Sequence, residues 1–197
     1  MFKIGNIKTS ESNSSLHQIA NLFEGMKFTV NIKNTNSKQL NSNIDKEVIK
    51  TLSQKYTVTT SKKELLVEVD GVKVGELDIM FNDEKNNTYY MEIEKSNKKT
   101  LWFDYIKILT ILKLNQNGRG IVMCPSNYAH SAGVWNIYKE AVIYKNHLKR
   151  VFGDSALNRV SVIGYTQYVF LDNKWQEFDS TIIKQIKLTT NRNHRSV

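Results

Sequence analysis

Cysteine and proline occur once each, side by side at Cys124 and Pro125. A single thiol excludes an intramolecular disulfide framework, and no apolar run approaches the roughly 18 residues that a membrane span needs. The first residues, MFKIGNIKTSESNSS, lack the hydrophobic stretch of a secretory leader. Nothing in the composition marks a linker between two halves, so one domain over residues 1–197 is expected, in a reducing cytoplasm. Acidic residues are scarce relative to basic ones: 19 Asp and Glu face 28 Lys and Arg, a formal charge of +9. That imbalance points to a polyanionic partner. Basic charge spread through a mixed fold suits a nucleic-acid groove better than a lipid surface, and no segment reads as a Lys-rich amphipathic surface helix.

Other absences narrow the chemistry. There is no GxxxxGK[ST] loop, the run from Gly118 to Gly120 is too short to cradle a phosphate, and the four histidines lack metal-ligand spacing. Cys124 at a strand end reads as a buried thiol, because no base stands in place to activate it. Trp102, Trp135 and Trp175 read as packing residues.

The periodicity predicts a mixed central β-sheet flanked by helices, an α/β fold. Ser15 and Gln18 fit a capping box, and Leu16, Ile19, Ala20 and Phe23 follow at helical spacing until Gly25. KFTVNI (27–32) alternates as a strand. A polar loop follows, and a second helix starts after Asn43, burying Ile44, Val48, Ile49 and Leu52. From Tyr56 to Ile93 the period becomes two: YTVTT, ELLVEV, VGELDIMF and TYYMEIE predict a meander of strands. TLWFDYIKILTILKLN places Leu101, Tyr105, Ile108 and Leu112 on one helical stripe. GIVMC then reads as a strand parallel to the one ending at Glu94, because strand, crossover helix and strand make a right-handed βαβ unit. A helix of about 15 residues around VWNIYKEAVIYKNHLKRVF comes next. RVSVIGY reads as a core strand, YVFLDNKWQEFD as a hairpin over Asp172 and Asn173, and residues 186–197 as a flexible basic tail.

Acidic residues stand where strands usually carry core side chains. Alternation puts Asp78 on one face with Glu76 and Met80, opposite Leu77, Ile79 and Phe81; Glu92 and Glu94 share a face opposite Met91 and Ile93. In an antiparallel hairpin over NDEKNN, Asp78 would face Glu92 and Glu76 would face Glu94. Like charges so close call for a cation or for raised pKa values. Oxygen ligands without His or Cys favour Mg²⁺, which binds through a few carboxylates, waters and phosphate oxygens. Such an ion would make a hydroxide-like nucleophile and neutralise charge at a phosphate. An exposed, solvated acidic sheet face is the competing reading of the same parity.

ELDIMF followed by MEIEKSNKKTLWFDYIKI resembles the PD-(D/E)XK nucleases, and more narrowly the type II restriction endonucleases of the BamHI, BglII and BstYI group. The resemblance implies a restriction-endonuclease-like core. It makes Asp78 and Glu92 the metal-binding acids and places Glu94 where the superfamily usually carries a lysine. The superfamily proline is absent before Asp78, which costs no ligand. The missing lysine leaves the general base open among Glu94, Lys95, a phosphate oxygen and metal-bound water, and alternation aims Lys95 at the opposite face. Glu47 on the second helix is a weaker extra acid, or an ordinary first-turn residue.

The similarity extends to an Asn at position 97, to a dimer-forming helix from Thr100, and to a recognition loop in GIVMCPSNYAHS. Asn97, Lys98 and Lys99 either reach phosphates and base edges or simply form the loop before that helix. Ser126, Asn127, His130 and Ser131 are candidate base-reading residues by the same resemblance, and Arg192 and Arg195 candidate DNA contacts from the tail. The implied protein is a Mg²⁺-dependent homodimer that cuts double-stranded DNA at a short palindromic site, GATC-centred in the group it resembles. A host methyltransferase would protect that site. The alternatives are a repair or junction-resolving nuclease of the same superfamily and a non-catalytic DNA-binding protein with the same fold.

Overall fold

The computed structural model describes residues 1–11, 14–31, 41–95, 98–130, 133–182 and 184. The chain opens with strand β1 (Phe2–Thr9), then helix α1 (Ser14–Asn21), short strands β2 (Lys27–Phe28), β3 (Val30–Asn31) and β4 (Asn41–Ser42), and helix α2 (Ile44–Leu52). Strands β5 (Thr57–Thr59), β6 (Leu66–Val69), β7 (Val72–Glu76), β8 (Ile79–Asn82) and β9 (Thr88–Ile93) lead to helix α3 (Leu101–Leu114). Strands β10 (Arg119–Pro125), β11 (Tyr128–His130) and β12 (Gly133–Trp135) precede helices α4 (Ile137–Phe152) and α5 (Asp154–Leu157), and strands β13 (Val160–Leu171) and β14 (Lys174–Glu177) follow.

A mixed central sheet runs in the order β2, β1, β13, β10, β9, β8, β5, with β14 added to β13. Strands β9 and β10 are parallel, as the βαβ reading required, and β10 and β13 are parallel too. Helices cover both faces. On one, Leu16 and Ile19 from α1, Phe23 just after it, and Val48 and Leu52 from α2 pack against Ile79, Phe81, Met91, Ile93, Ile121 and Met123. On the other, Leu101, Tyr105, Ile108, Leu112, Ile137 and Ala141 from α3 and α4 pack against Tyr90, Val122, Val160 and Val162. Cys124 is buried in this second layer. Two close approaches seat the helices: a Cβ at Gly120 would lie 2.3 Å from Ile108 Cγ2, and one at Gly164 would lie 2.5 Å from the Tyr138 ring.

The turns follow their sequences. Asp70 and Gly71 join β6 to β7 with φ of 50° and 76°, and Asp172 and Asn173 join β13 to β14 with φ of 50° and 59°, the left-handed pairs of tight hairpins.

The N-terminal segment, for which the periodicity predicted no element, is strand β1, paired along β13 with an irregularity around Asn6, whose φ is 49°. Two expectations are corrected. The strand expected over 27–32 is broken into β2 and β3, which pair with different partners. The meander is also interrupted: VGELDIMF divides into β7, which pairs with β6 in a separate hairpin, and β8, which joins the central sheet. The tail at 186–197 lies outside the described residues.

Candidate active site

The β8–β9 hairpin sets the register of the acidic residues. Asp83 fastens its turn, accepting hydrogen bonds from the Lys85 and Asn87 amides at 2.9 Å each and from the Asn87 side chain at 2.8 Å. Ile79 then pairs with Met91, Met80 with Tyr90, Phe81 with Tyr89 and Asn82 with Thr88. This is the expected register as far as Ile79 and Met91; Asp78 lies just beyond its end. The Ile93 amide donates to Asp78 Oδ2 at 2.7 Å, tying the exposed Asp78 to the end of β9.

Glu76 does not join this group. It pairs with Leu66 across the β6–β7 hairpin and its carboxylate meets Lys73, so the expected pairing with Glu94 is absent. The cause is a parity break. The Leu77 amide donates to the Leu65 carbonyl at 2.9 Å, and Leu77 packs in the α3 layer instead of beside Ile79 and Phe81.

Glu92 is 2% exposed and faces α3. Its Oε1 lies 2.7 Å from Lys107 Nζ, a buried ion pair. Lys107 Nζ also lies 3.3 Å from Asp104 Oδ1 and donates to the Glu76 carbonyl at 3.1 Å. Burial, with the charge of Asp78 second, pushes the Glu92 carboxyl up to about 9 against the opposing pull of Lys107. Burial likewise pushes Asp104 up to about 6, with Glu94 and Asp78 adding to it and Lys107 opposing. For Lys107, burial favours the neutral amine, but Glu92 and Asp104 outweigh it and hold the ammonium above its ordinary range.

Glu94 follows β9 with its amide still bonded to the Met123 carbonyl at 2.9 Å, and its carboxylate accepts from the Thr100 hydroxyl at the entrance to α3. Lys95 turns to the opposite layer, where it pairs with Asp45 in the first turn of α2. Glu47 pairs with Lys50 at 3.9 Å, as an ordinary first-turn residue would. Burial raises the Asp45 carboxyl, Lys95 opposes it, and Asp78 adds to the rise; its Oδ1 is buried with no hydrogen bond.

Asp45, Asp104 and Lys107 were missed in the sequence. Asp104 and Lys107 carried a signal, for Asp104 lies three residues after Leu101 and four before Ile108, inside the apolar stripe of α3. A charge there needs a partner. Asp45 carried none that set it apart from Glu47.

The expected recognition residues scatter. Asn127 is buried and serves the fold: its side chain donates to the Gln167 and Phe178 carbonyls at 2.9 and 3.0 Å and accepts from the Gln167 amide at 2.8 Å. That turns it away from any DNA. The Ser126 hydroxyl bonds the Tyr165 carbonyl, also at 3.1 Å from the Thr166 hydroxyl. Lys98 lies 3.8 Å from Glu140 and over the Trp135 ring, and Lys99 is exposed beside it. Asn97, Ser131, Arg192 and Arg195, and the side chain of His130, lie outside the described residues.

Among the described residues, no three His, Cys, Asp or Glu side chains gather as a metal cage. Mg²⁺ needs less, since it is commonly held by one or two carboxylates together with waters and phosphate oxygens. Asp78, just before β8, and Glu92 on the neighbouring strand β9 are hard-oxygen donors of the right kind, and the Glu92 oxygen is held by Lys107. No protein-family model, no curated protein and no solved structure matches the chain, so the nuclease resemblance rests on the residues from Asp78 to Asn97 themselves.

Proposed function

We propose that the chain is a homodimeric, Mg²⁺-dependent type II restriction endonuclease with a PD-(D/E)XK core, hydrolysing phosphodiesters in both strands of a short palindromic site. The observation that supports this reading is the β8–β9 hairpin, whose end and the Ile93 amide hold Asp78 near Glu92 at the end of a parallel strand pair, with Glu94 immediately after. Asp78 and Glu92 hold the ion. When bound, Mg²⁺ supplies the positive charge that stabilises a phosphate under in-line attack. Glu94, oriented by Thr100, positions the attacking water and takes its proton; Lys95 is engaged with Asp45 in the other layer.

The charge of +9 and the lysines at 98 and 99 favour a DNA partner. Dimerisation is supported by the outer faces of α3 and α4. Trp102, Phe103, Ile106, Leu114, Ile143, Val151 and Phe152 are exposed there, Phe103 at 66% and Phe152 at 72%. Trp102, expected to pack, is 37% exposed and stacks on Tyr144 with ring centroids 4.6 Å apart. A two-fold DNA site needs two equivalent centres related by a matching axis. Among the described residues no helix is long and apolar enough to cross a membrane.

The test is incubation of phage DNA with the protein, in Mg²⁺ and in EDTA, beside Glu92→Ala. Discrete Mg²⁺-dependent bands, lost in the variant, are expected. A smear, or preference for branched DNA, would favour a repair or junction-resolving nuclease. The Lys107 ammonium standing against Glu92 favours a second reading, a DNA-binding protein that does not cut. That protein would leave DNA intact with every divalent metal while binding it with steep salt dependence.

A further inference from the structure

Lys107 is built into the acidic site rather than resting on its surface. Its side chain is 15% exposed, and its ammonium contacts oxygens on three segments: Glu92 Oε1 on β9 at 2.7 Å, Asp104 Oδ1 on its own helix at 3.3 Å, and the Glu76 carbonyl at the end of β7 at 3.1 Å. The path is cleared by a missing side chain. A Cβ at Gly75 would meet Lys107 Cδ at 2.8 Å and Cγ at 3.2 Å, so glycine in β7 is what lets the aliphatic stem pass beneath the hairpin.

An ammonium 2.7 Å from a carboxylate oxygen occupies the space in which a Mg²⁺ ion would sit, since that ion approaches its oxygens to about 2.1 Å. The two cations compete for the same oxygen. Asp104 and the Glu76 carbonyl give the ammonium other oxygens within its reach, so it can leave Glu92 without being buried unpaired.

We propose that Lys107 is the resident counter-ion of the site: it occupies Glu92 in the metal-free protein and yields to the divalent cation by moving onto Asp104 and the Glu76 carbonyl. This rests on the reading of Asp78 and Glu92 as metal ligands. The lysine then holds the Glu92 oxygen until metal arrives, and it weakens metal binding by the free energy of its own contact with Glu92.

The test is isothermal titration of the full chain with Mn²⁺, without DNA, for wild type, Lys107→Met and Gly75→Ala. Methionine keeps most of the stem and removes the charge. Binding about tenfold tighter is expected in Lys107→Met, equivalent to about 1.4 kcal/mol. Gly75→Ala leaves every charge in place and displaces the lysine stem; binding tighter by about threefold is expected, which loss of charge cannot explain. It also decides the matter if Lys107→Met does not fold. Unchanged or weaker Mn²⁺ binding in a folded Gly75→Ala protein overturns the inference, and if wild type still binds metal and cuts DNA, the nuclease reading survives it. No Mn²⁺ binding in any of the three overturns the metal-site reading and this inference together.

Discussion

The Ile93 amide donates to Asp78 Oδ2 at 2.7 Å, a bond made one residue beyond the last backbone pair of β8 and β9. It gives a polar residue at a parity break a fixed place beside Glu92. Asp78→Ala should therefore cost about 1 kcal/mol of stability, while Asp78→Asn, whose amide oxygen can still accept, should recover most of it. Urea denaturation checks the stability. Both substitutions should abolish Mg²⁺-dependent cleavage, which a plasmid assay reads.

Glu92 gives the metal-free protein a pH signature. Its carboxyl is pushed from 4.5 up to about 9, first by burial and then by Asp78. A folded-state value above the unfolded one means that the stability contribution is full below about 4.5 and is lost as pH rises towards 9. Asp104, raised to about 6, acts in the same direction in a lower window. Urea midpoints in EDTA should fall between pH 5 and pH 8.5, and Glu92→Gln should flatten most of that fall. A wild-type midpoint that rises over this range would refute the assignment.

Gly120→Ala should loosen α3. The new Cβ would stand 2.3 Å from Ile108 Cγ2 and 3.2 Å from Val160 Cγ2, so the helix must shift from the sheet. Overpacking of this kind costs about 1–3 kcal/mol. Scanning calorimetry should show a lower Tm.

Lys95→Met tests which group takes the proton. With Lys95 paired to Asp45 away from Glu92, cleavage should fall by less than about tenfold, whereas loss of a general base costs 10²–10⁴-fold. Single-turnover rates separate the two.

Phe103→Glu combined with Ile106→Glu should give a monomer, because two charges would enter the exposed apolar face of α3. Light scattering reads the mass. Double-strand cleavage should disappear in the same protein while its far-UV circular dichroism stays unchanged.

The sequence by itself determined whatever neighbouring residues decide between them. Asp70-Gly71 and Asp172-Asn173 impose their hairpins through left-handed backbone angles that few residue pairs adopt as readily. The five residues between Asn82 and Thr88, fastened by Asp83, set the β8–β9 register and with it the approach of Asp78 to Glu92. Strand β9, helix α3 and strand β10 follow in an order that permits a parallel pair, and the pair is parallel.

Tertiary structure decided the rest. FKIGNIKT reads as a polar segment until β13, some 160 residues on, supplies its hydrogen-bond partners. Leu77 leaves the alternation of β8 because Leu65 captures its amide, which carries Glu76 away from Glu94. The pairing of Asp45 with Lys95 and the entry of Lys107 beneath Gly75 depend on how two helices lie across opposite faces of the sheet. Alternation and turn chemistry act over a few bonds and can be read along the chain. Which charges share a buried site depends on packing between segments far apart in sequence, and only the folded chain brings Glu92, Asp104 and Lys107 within reach of one another.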